Sequence, residues 1–136
     1  MPAQPDAIEA ACAAVQAAEE KKAANPVILE VADVLAVVDL FAIVSVGNER
    51  QLKAVADEVE RVLREDLDRR PLRREGAPAS GWVLLDYGDV VCHLFVTDRR
   101  DFYALERLWA DVPRRDPASG ELLEPLTTVR ETADAP

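Results

Sequence analysis

The chain has 136 residues, of which 49% are hydrophobic and 31% are charged. This length and composition are typical of one globular domain with one substantial core. Because 26 acidic residues outnumber 16 basic ones and give a formal net charge of −10, binding to nucleic acid by bulk electrostatics is disfavoured, and a basic protein surface is the more natural partner.

The N-terminal third predicts a helix followed by two strands. Residues Pro5–Ala24 have an amphipathic helical pattern, and Asn25-Pro26 should end it because the residue before a proline is disfavoured in a helix. The short apolar run Val27–Val31 predicts a strand. Val37–Val46 is almost continuously apolar, so we expect a second strand that is buried on both faces near the middle of a sheet.

A second helix and a polar connection follow. Asn48 and Gln51 have capping-box spacing, which predicts a helix from that point to about Asp66. The proline-interrupted segment Arg69–Arg74 predicts a loop that leads into an edge strand. Gly, Ala, Pro and Ser make Glu75–Gly81 a predicted loop.

The C-terminal part predicts a hairpin, a helix and a tail. Trp82–Tyr87 and Val90–Phe95 flank a tight turn at Gly88-Asp89, which indicates two antiparallel strands. Thr97 or Asp98 can cap a last helix. We expect this helix to bury Phe102, Leu105 and Leu108.

This order of elements predicts an α/β fold with a single mixed β-sheet flanked by α-helices. We expect residues 1–112 to form the domain. Residues 113–136 are acidic, contain prolines and show little periodicity, so we expect a mostly disordered tail.

Two cysteines and the hydropathy pattern indicate a cytoplasmic protein. Cys12 and Cys92 have neither a disulfide framework nor zinc-site spacing, which predicts small buried thiols in a reducing compartment. No signal segment begins the chain, and no apolar run approaches the ~20 residues of a membrane span. We expect no membrane partner.

Motifs for catalysis are absent from the sequence. G-x-S-x-G, the P-loop pattern and G-x-G-x-x-G do not occur. His93 is the only histidine, and its place in a predicted strand favours a half-buried residue with satisfied hydrogen bonds. We therefore predict no enzyme activity, no catalytic residues, no cofactor and no metal site.

One enzyme hypothesis stays open as the alternative. Asp86 and Asp89 flank the hairpin turn, and Asp39 lies in the neighbouring buried strand. Clustered carboxylates could hold Mg²⁺ for nucleotidyl transfer. A phosphate-binding lysine or serine is missing after Gly47, however, and aspartates are also common in tight turns. Structural carboxylates are favoured.

A nucleic-acid-binding hypothesis depends on a basic cluster, formed by Arg69, Arg70, Arg73 and Arg74. These side chains could contact phosphates. No aromatic residues are interleaved with them and the whole chain is acidic, so a solvated loop is favoured. An incidental contact with RNA on a large assembly stays open, but we expect no sequence-specific nucleic-acid partner.

Three parts of the sequence resemble the Iojap family, also called ribosomal silencing factors. They are Asp39–Ser45 with Gly47–Gln51 and Ala54–Val59, then Gly81–Phe95, and then Arg100–Trp109. The second and third parts are the most specific. The resemblance spans roughly residues 7 to 109 in the family's order and does not cover the tail.

Three positions depart from the family's pattern. Val46 stands where a smaller residue is usual, Leu40 replaces a common aromatic residue and Cys92 replaces a common valine. These are packing substitutions, and they leave the assignment intact.

The resemblance implies a sheet related to the nucleotidyltransferase fold without its catalytic residues. It also implies binding to one basic ribosomal protein on the intersubunit face of the large ribosomal subunit. Such binding blocks joining of the small subunit and lowers translation under nutrient limitation. Self-association as a homodimer off the ribosome is a further implication.

We predict that aromatic anchors and carboxylates around the hairpin bind this partner. The predicted partner-binding residues are Trp82, Asp86, Tyr87, Asp89, His93, Tyr103 and Arg107. For Trp82 and Tyr87, a role in the core is an equally open alternative.

Overall fold

The protein is described here by a computed structural model, which covers residues 3–32, 35, 37–103 and 110–123. For residues 101–103 the backbone alone is described. Within these ranges the elements in chain order are α1 (Pro5–Glu20), β1 (Ala24–Glu30), β2 (Leu40–Val46), α2 (Glu49–Leu67), β3 (Arg73–Ala77), β4 (Trp82–Asp86), β5 (Val90–Val96), α3 (Thr97–Tyr103) and β6 (Arg114–Arg115).

The strands form one mixed sheet in the order β3-β4-β5-β2-β1-β6. The β2–β5 pair is parallel and the other pairs are antiparallel. All seven residues of β2 are buried, which confirms the predicted central strand. It begins at Leu40 rather than Val37, whose side chain is 76% exposed. The predicted α/β class with a single mixed sheet is confirmed.

Helices α1 and α2 pack together on one face of the sheet. The buried side of α1 consists mainly of alanine: its buried residues are Ala7, Ala10, Ala11, Ala14, Val15, Ala17 and Ala18. Short side chains let the helix approach its neighbours closely, since interaxial distance depends on the side chains at the contact. Ile8 and Cys12, which hydrophobic periodicity alone would place in the core, are half-buried beside the C-terminal segment.

The first helix ends earlier than predicted. The amide of Ala23 donates to Ala18 O, Lys22 has a φ of 72°, and the chain turns there into β1. Asn25-Pro26 therefore lies inside β1, at a break in the strand register between Ala24 and Val27. Proline is tolerated at such bulges because no ladder hydrogen bond is lost.

The start of α2 confirms the predicted cap with one difference. Asn48 Oδ1 accepts a 2.8 Å hydrogen bond from the Gln51 amide. The Gln51 side chain accepts a 2.6 Å bond from the amide of Gly47 rather than of Asn48, and its Nε2 donates to Lys21 O at 3.0 Å. Gln51 thus ties the start of α2 to the end of α1.

Residues 75–81, predicted as a loop, contain the end of β3 and a short 3-10 turn. Gly76 has a φ of 83°, and a Cβ there would lie 2.3 Å from Trp82 O. The outer strand β3 pairs closely with β4 because position 76 lacks a side chain. At the other boundary, α3 begins at Thr97, whose hydroxyl donates to Val46 O. No helix in the described ranges is long and apolar enough to cross a membrane.

Residues 114–123 are ordered, contrary to the disorder predicted for the tail. Arg114 and Arg115 pair with β1, and the amide of Leu123 donates to Arg114 O. Arg115 Nε lies 2.7 Å from Glu30 Oε1, and both side chains are largely buried. Low periodicity did not indicate order here because a two-residue strand and one ion pair fix the segment. Residues 124–136 lie outside the described ranges, and the domain division stays a prediction.

Candidate partner-binding face

Alternate residues of three strands share the sheet face that is opposite α1 and α2. The register places Asp86 beside Arg73, Leu84 between Glu75 and His93, and Trp82 beside Phe95. The β4 residues on this face are half-buried, whereas Val83 and Leu85, on the helix-covered face, are buried. We call the following set the candidate face: Arg73, Glu75, Trp82, Leu84, Asp86 and His93.

The apolar part of the candidate face continues a second hydrophobic cluster. Trp82 and Leu84 are half-buried and pack against buried residues that include Phe41, Val91 and Phe95. Part of the Trp82 side chain therefore lies in the cluster and part of it at the surface, and its role in binding a partner stays a prediction. Such a ring offers an apolar anchor that the sheet holds rigidly.

Asp86 supports the hairpin and binds an arginine at the same time. Its Oδ1 accepts a 2.8 Å bond from the Gly88 amide, as expected for an aspartate at a tight turn. Its Oδ2 lies 2.9 Å from Arg73 Nη2. Burial opposes ionisation, but the Gly88 amide and the Arg73 guanidinium outweigh it and hold the pKa of Asp86 below its usual value.

His93 is more deeply buried than predicted and its hydrogen bonds are not satisfied. The side chain is 8% exposed, and neither ring nitrogen has a hydrogen-bond partner among the described residues. Its ring centroid lies 4.8 Å from that of Phe41 and 6.2 Å from that of Phe95. Burial lowers the pKa of His93 to about 4, so the ring is neutral at pH 7.

Tyr87 and Asp89 do not lie on the candidate face. Tyr87 is 5% exposed and belongs to the core cluster under the helices, with the Arg69 guanidinium 5.8 Å from its ring centroid. Asp89 Oδ1 forms a 2.5 Å ion pair with Arg69 Nη2. Tyr87 therefore takes its core alternative, because the residue after Asp86 lies on the face that α1 and α2 cover.

The remaining predicted residues come from the last helix. Tyr103 is the last residue of α3, and only its backbone belongs to the described part of the structure. Arg107 lies outside the described residues, as do Leu105 and Leu108, and so does the side chain of Phe102.

The three aspartates of the magnesium hypothesis have separate partners. Asp39 Oδ2 accepts a 3.1 Å bond from the Gln4 amide, while Asp86 and Asp89 bind Arg73 and Arg69 respectively. Within the part of the chain that the structure describes, no three His, Cys, Asp or Glu side chains form a group that could hold a metal ion. The carboxylates act as structural groups here.

The basic cluster is neutralised within the chain. Arg69 pairs with Asp89 and Arg70 with Asp68. Arg73 and Arg74 each bind two carboxylates, which are Glu75 and Asp86 for Arg73 and Asp57 and Glu60 for Arg74. This arrangement leaves little free positive charge for phosphate binding.

Sequence reasoning missed Leu84, Glu75 and Arg73 as members of the candidate face. The signal for Leu84 was available, since alternate residues of a strand share one face and Leu84 lies midway between Trp82 and Asp86. Glu75 and Arg73 were not recognised because Arg69–Arg74 was predicted as a loop leading into an edge strand and Glu75–Gly81 as a loop. Only the β3–β4 register places them beside Leu84 and Asp86.

The fold and the face define an α/β protein with one mixed sheet, one surface of which is half-exposed and carries carboxylates. Residues 4–135 match the family model described as "Ribosomal silencing factor during starvation". The chain belongs to this family, and the predicted family resemblance is confirmed. The family consists of non-enzymatic ribosome silencing factors.

Individual relatives agree with this assignment. The chain is 40% identical over 100 residues to ribosomal silencing factor RsfS of Halalkalibacterium halodurans, which covers 74% of this chain and 85% of the relative. It is 35% identical over 106 residues to RsfS of Bacillus subtilis, with 76% and 86% covered. A crystal structure of a protein from Chromobacterium violaceum superposes with a TM-score of 0.71 at 30% identity, covering 76% of this chain and 85% of that one.

Proposed function

We propose that this protein represses translation by binding the large ribosomal subunit at its intersubunit face, through one basic ribosomal protein. The bound domain then blocks joining of the small subunit sterically and lowers translation under nutrient limitation. We place this action in the cytoplasm. Family membership supports the class of activity, and no catalytic group is required.

The observation that carries the proposal is the composition of the candidate face. Trp82 and Leu84 form a half-exposed apolar centre, and Asp86 and Glu75 lie at its rim. A buried apolar anchor surrounded by charges that set register is the usual organisation of a protein interface. An acidic rim on a chain of net charge −10 favours a basic partner.

We also infer a relationship of the fold and an oligomeric state. The sheet is related to the nucleotidyltransferase fold but lacks its catalytic residues, which agrees with the separate structural partners of Asp39, Asp86 and Asp89. Off the ribosome the chain self-associates as a homodimer. The terminal position of β3 in the sheet supports this, because an edge strand can pair with another chain.

The test is co-sedimentation with separated large and small ribosomal subunits, followed by a subunit-joining assay. We expect binding to large subunits alone and fewer joined ribosomes. Trp82→Ala should abolish both effects, whereas Asp66→Asn, at an exposed position on α2, should change neither. Circular dichroism should show that both variants are folded. Normal binding of a folded Trp82→Ala protein would contradict the candidate face, and no binding by the unmodified protein would contradict the function.

A further inference from the structure

The parallel strands β2 and β5 are neighbours whose chains leave the sheet towards opposite faces. After β2 the chain forms α2, which lies with α1 on one face of the sheet. After β5 it forms α3 on the opposite face, where Arg100 donates to Asn25 O at 2.5 Å and to Ser45 Oγ at 2.8 Å. In α/β sheets such a divergence opens a crevice beyond the carboxyl ends of the strands, and ligands bind there.

A cavity of about 880 Å³ lies at this place in the protein and forms the crevice. That volume lies within the range of about 300–1,000 Å³ that is typical of small-molecule sites. The cavity is separate from the candidate face and has three walls, which come from the start of α2, the turn before β4 and the start of α3. Its lining includes Glu49, Arg50, Gly81, Asp98 and Arg99.

The two arginines of the cavity differ from most others in the chain. Within the described ranges, ion pairs with carboxylates are formed by Arg61, Arg64, Arg69, Arg70, Arg73, Arg74 and Arg115. Arg50 and Arg99 form no ion pair with any carboxylate of the described ranges, although the chain has an excess of acidic residues. Two guanidinium groups that line one cavity and form no ion pair within the described ranges are suited to an anion, above all a phosphate.

The side chain of Arg99 packs against Gly81. A Cβ at position 81 would lie 2.6 Å from Cγ of Arg99, and the residue has a φ of 79°. The aliphatic part of Arg99 therefore lies directly against the Gly81 backbone. This contact restricts where the side chain can lie beside the cavity.

The carboxylates of the cavity narrow the class of ligand. Glu49 and Asp98 balance the formal charge of Arg50 and Arg99, so a dense polyanion is disfavoured. Carboxylates accept hydrogen bonds from hydroxyl and amino groups. We propose that the crevice binds a small phosphomonoester of nucleotide size, with its phosphate on the two arginines and its hydroxyl or amino groups on the two carboxylates.

The test is isothermal titration calorimetry of the full chain with adenosine monophosphate, inorganic phosphate and adenosine. We expect adenosine monophosphate to bind more tightly than inorganic phosphate, and adenosine to give no measurable heat. Arg50→Ala and Arg99→Ala should each weaken binding by about tenfold, as loss of one charge-assisted hydrogen-bonding partner predicts. The matched control is Arg61→Ala, on the exposed side of α2, which should leave the affinity unchanged.

Three outcomes would overturn this inference. They are the absence of binding by adenosine monophosphate at millimolar concentration, equal affinity in the arginine variants, and tighter binding of a short RNA oligonucleotide at the same residues. Unfolding temperatures of each variant establish that the fold is kept. The assay contains no ribosomes, so its result is independent of the proposed function.

Discussion

Arg73 forms an ion pair with Asp86 across the β3–β4 pair, with Nη2 2.9 Å from Oδ2. The same guanidinium lies 2.8 Å from Glu75 Oε2 through Nη1. A basic group of the chain itself therefore occupies the acidic rim of the candidate face. A lysine or arginine of a partner would compete with Arg73 for these carboxylates.

This relationship predicts that Arg73→Gln strengthens binding to large ribosomal subunits. The substitution frees Asp86 and Glu75 for the partner, so we expect affinity to rise by about two- to tenfold at low salt, as is usual for rim charges. Asp86→Asn should weaken binding by a similar factor. Co-sedimentation titrations at two salt concentrations measure both effects, and screening should reduce them at the higher salt concentration.

The exposed residue Asp66 provides the matched control, since Asp66→Asn removes one negative charge away from the candidate face. If Asp66→Asn weakened binding as much as Asp86→Asn, net charge rather than the Arg73–Asp86 site would govern the interaction. A weaker affinity in Arg73→Gln would show that the arginine itself contacts the partner.

Because of His93, we expect the stability of the protein to fall as the pH is lowered. The ring has a pKa of about 4 in the folded protein and 6.5 as its ordinary value, so the unfolded chain takes up a proton first as the pH falls. Its contribution to stability is complete above pH 6.5 and is lost between pH 6.5 and 4. From about pH 7 to 5.5 we expect the free energy of unfolding to fall by about 1 kcal/mol through this group.

Urea unfolding of the unmodified protein and of His93→Phe measures this loss. Phenylalanine fits between Phe41 and Phe95 without buried nitrogens, so the variant should lack the His93 part of the slope. His93 is the only histidine, and the difference between the two proteins therefore isolates it. Equal slopes would mean that the ring is protonated in the folded state.

Gly76→Ala should destabilise the outer edge of the sheet. The backbone of Gly76 has a φ of 83°, and a new Cβ would lie 2.3 Å from Trp82 O. We expect a loss of about 2 kcal/mol or more in the free energy of unfolding. Gly47→Ala serves as the control, because its Cβ would meet only the Gln51 side chain at 3.3 Å. Comparable losses in the two variants would contradict the close β3–β4 approach.

Arg115→Ala tests whether residues 114–123 belong to the fold. The substitution leaves the Glu30 carboxylate, which is 8% exposed, without its cation, and breaking a buried pair in this way costs about 3–5 kcal/mol. Arg114→Ala, which removes no ion pair of the described residues, should cost much less. Adding Glu30→Gln to Arg115→Ala should restore part of the stability. Urea unfolding that showed full stability for Arg115→Ala would indicate that the C-terminal strand is dispensable.

The sequence predicted the central elements because their patterns are local. Continuous apolar residues identified β2, the Asn48 cap located the start of α2, and the turn at Gly88-Asp89 identified the hairpin. These signals depend on burial and backbone conformation within a few residues. The stretch 75–81 was predicted less well, because Gly76 and the neighbouring proline suggested a loop where pairing with β4 extends the strand.

The candidate site was predicted in part. Trp82 and Asp86 were found from residue type, and the structure places them on one face with His93. Tyr87 directly follows Asp86 but lies in the core under the helices, and Asp89, three residues after Asp86, binds Arg69.

The sequence by itself determined the α/β class, the family and the acidic character of the chain, since these follow from composition, periodicity and matched segments. The tertiary structure alone decided which charges meet. Arg73 binds Asp86 because antiparallel pairing places residues 13 positions apart side by side. Arg50 and Arg99 line one cavity because two parallel strands end at the same edge of the sheet. Such neighbours depend on strand order and register, which long-range packing sets.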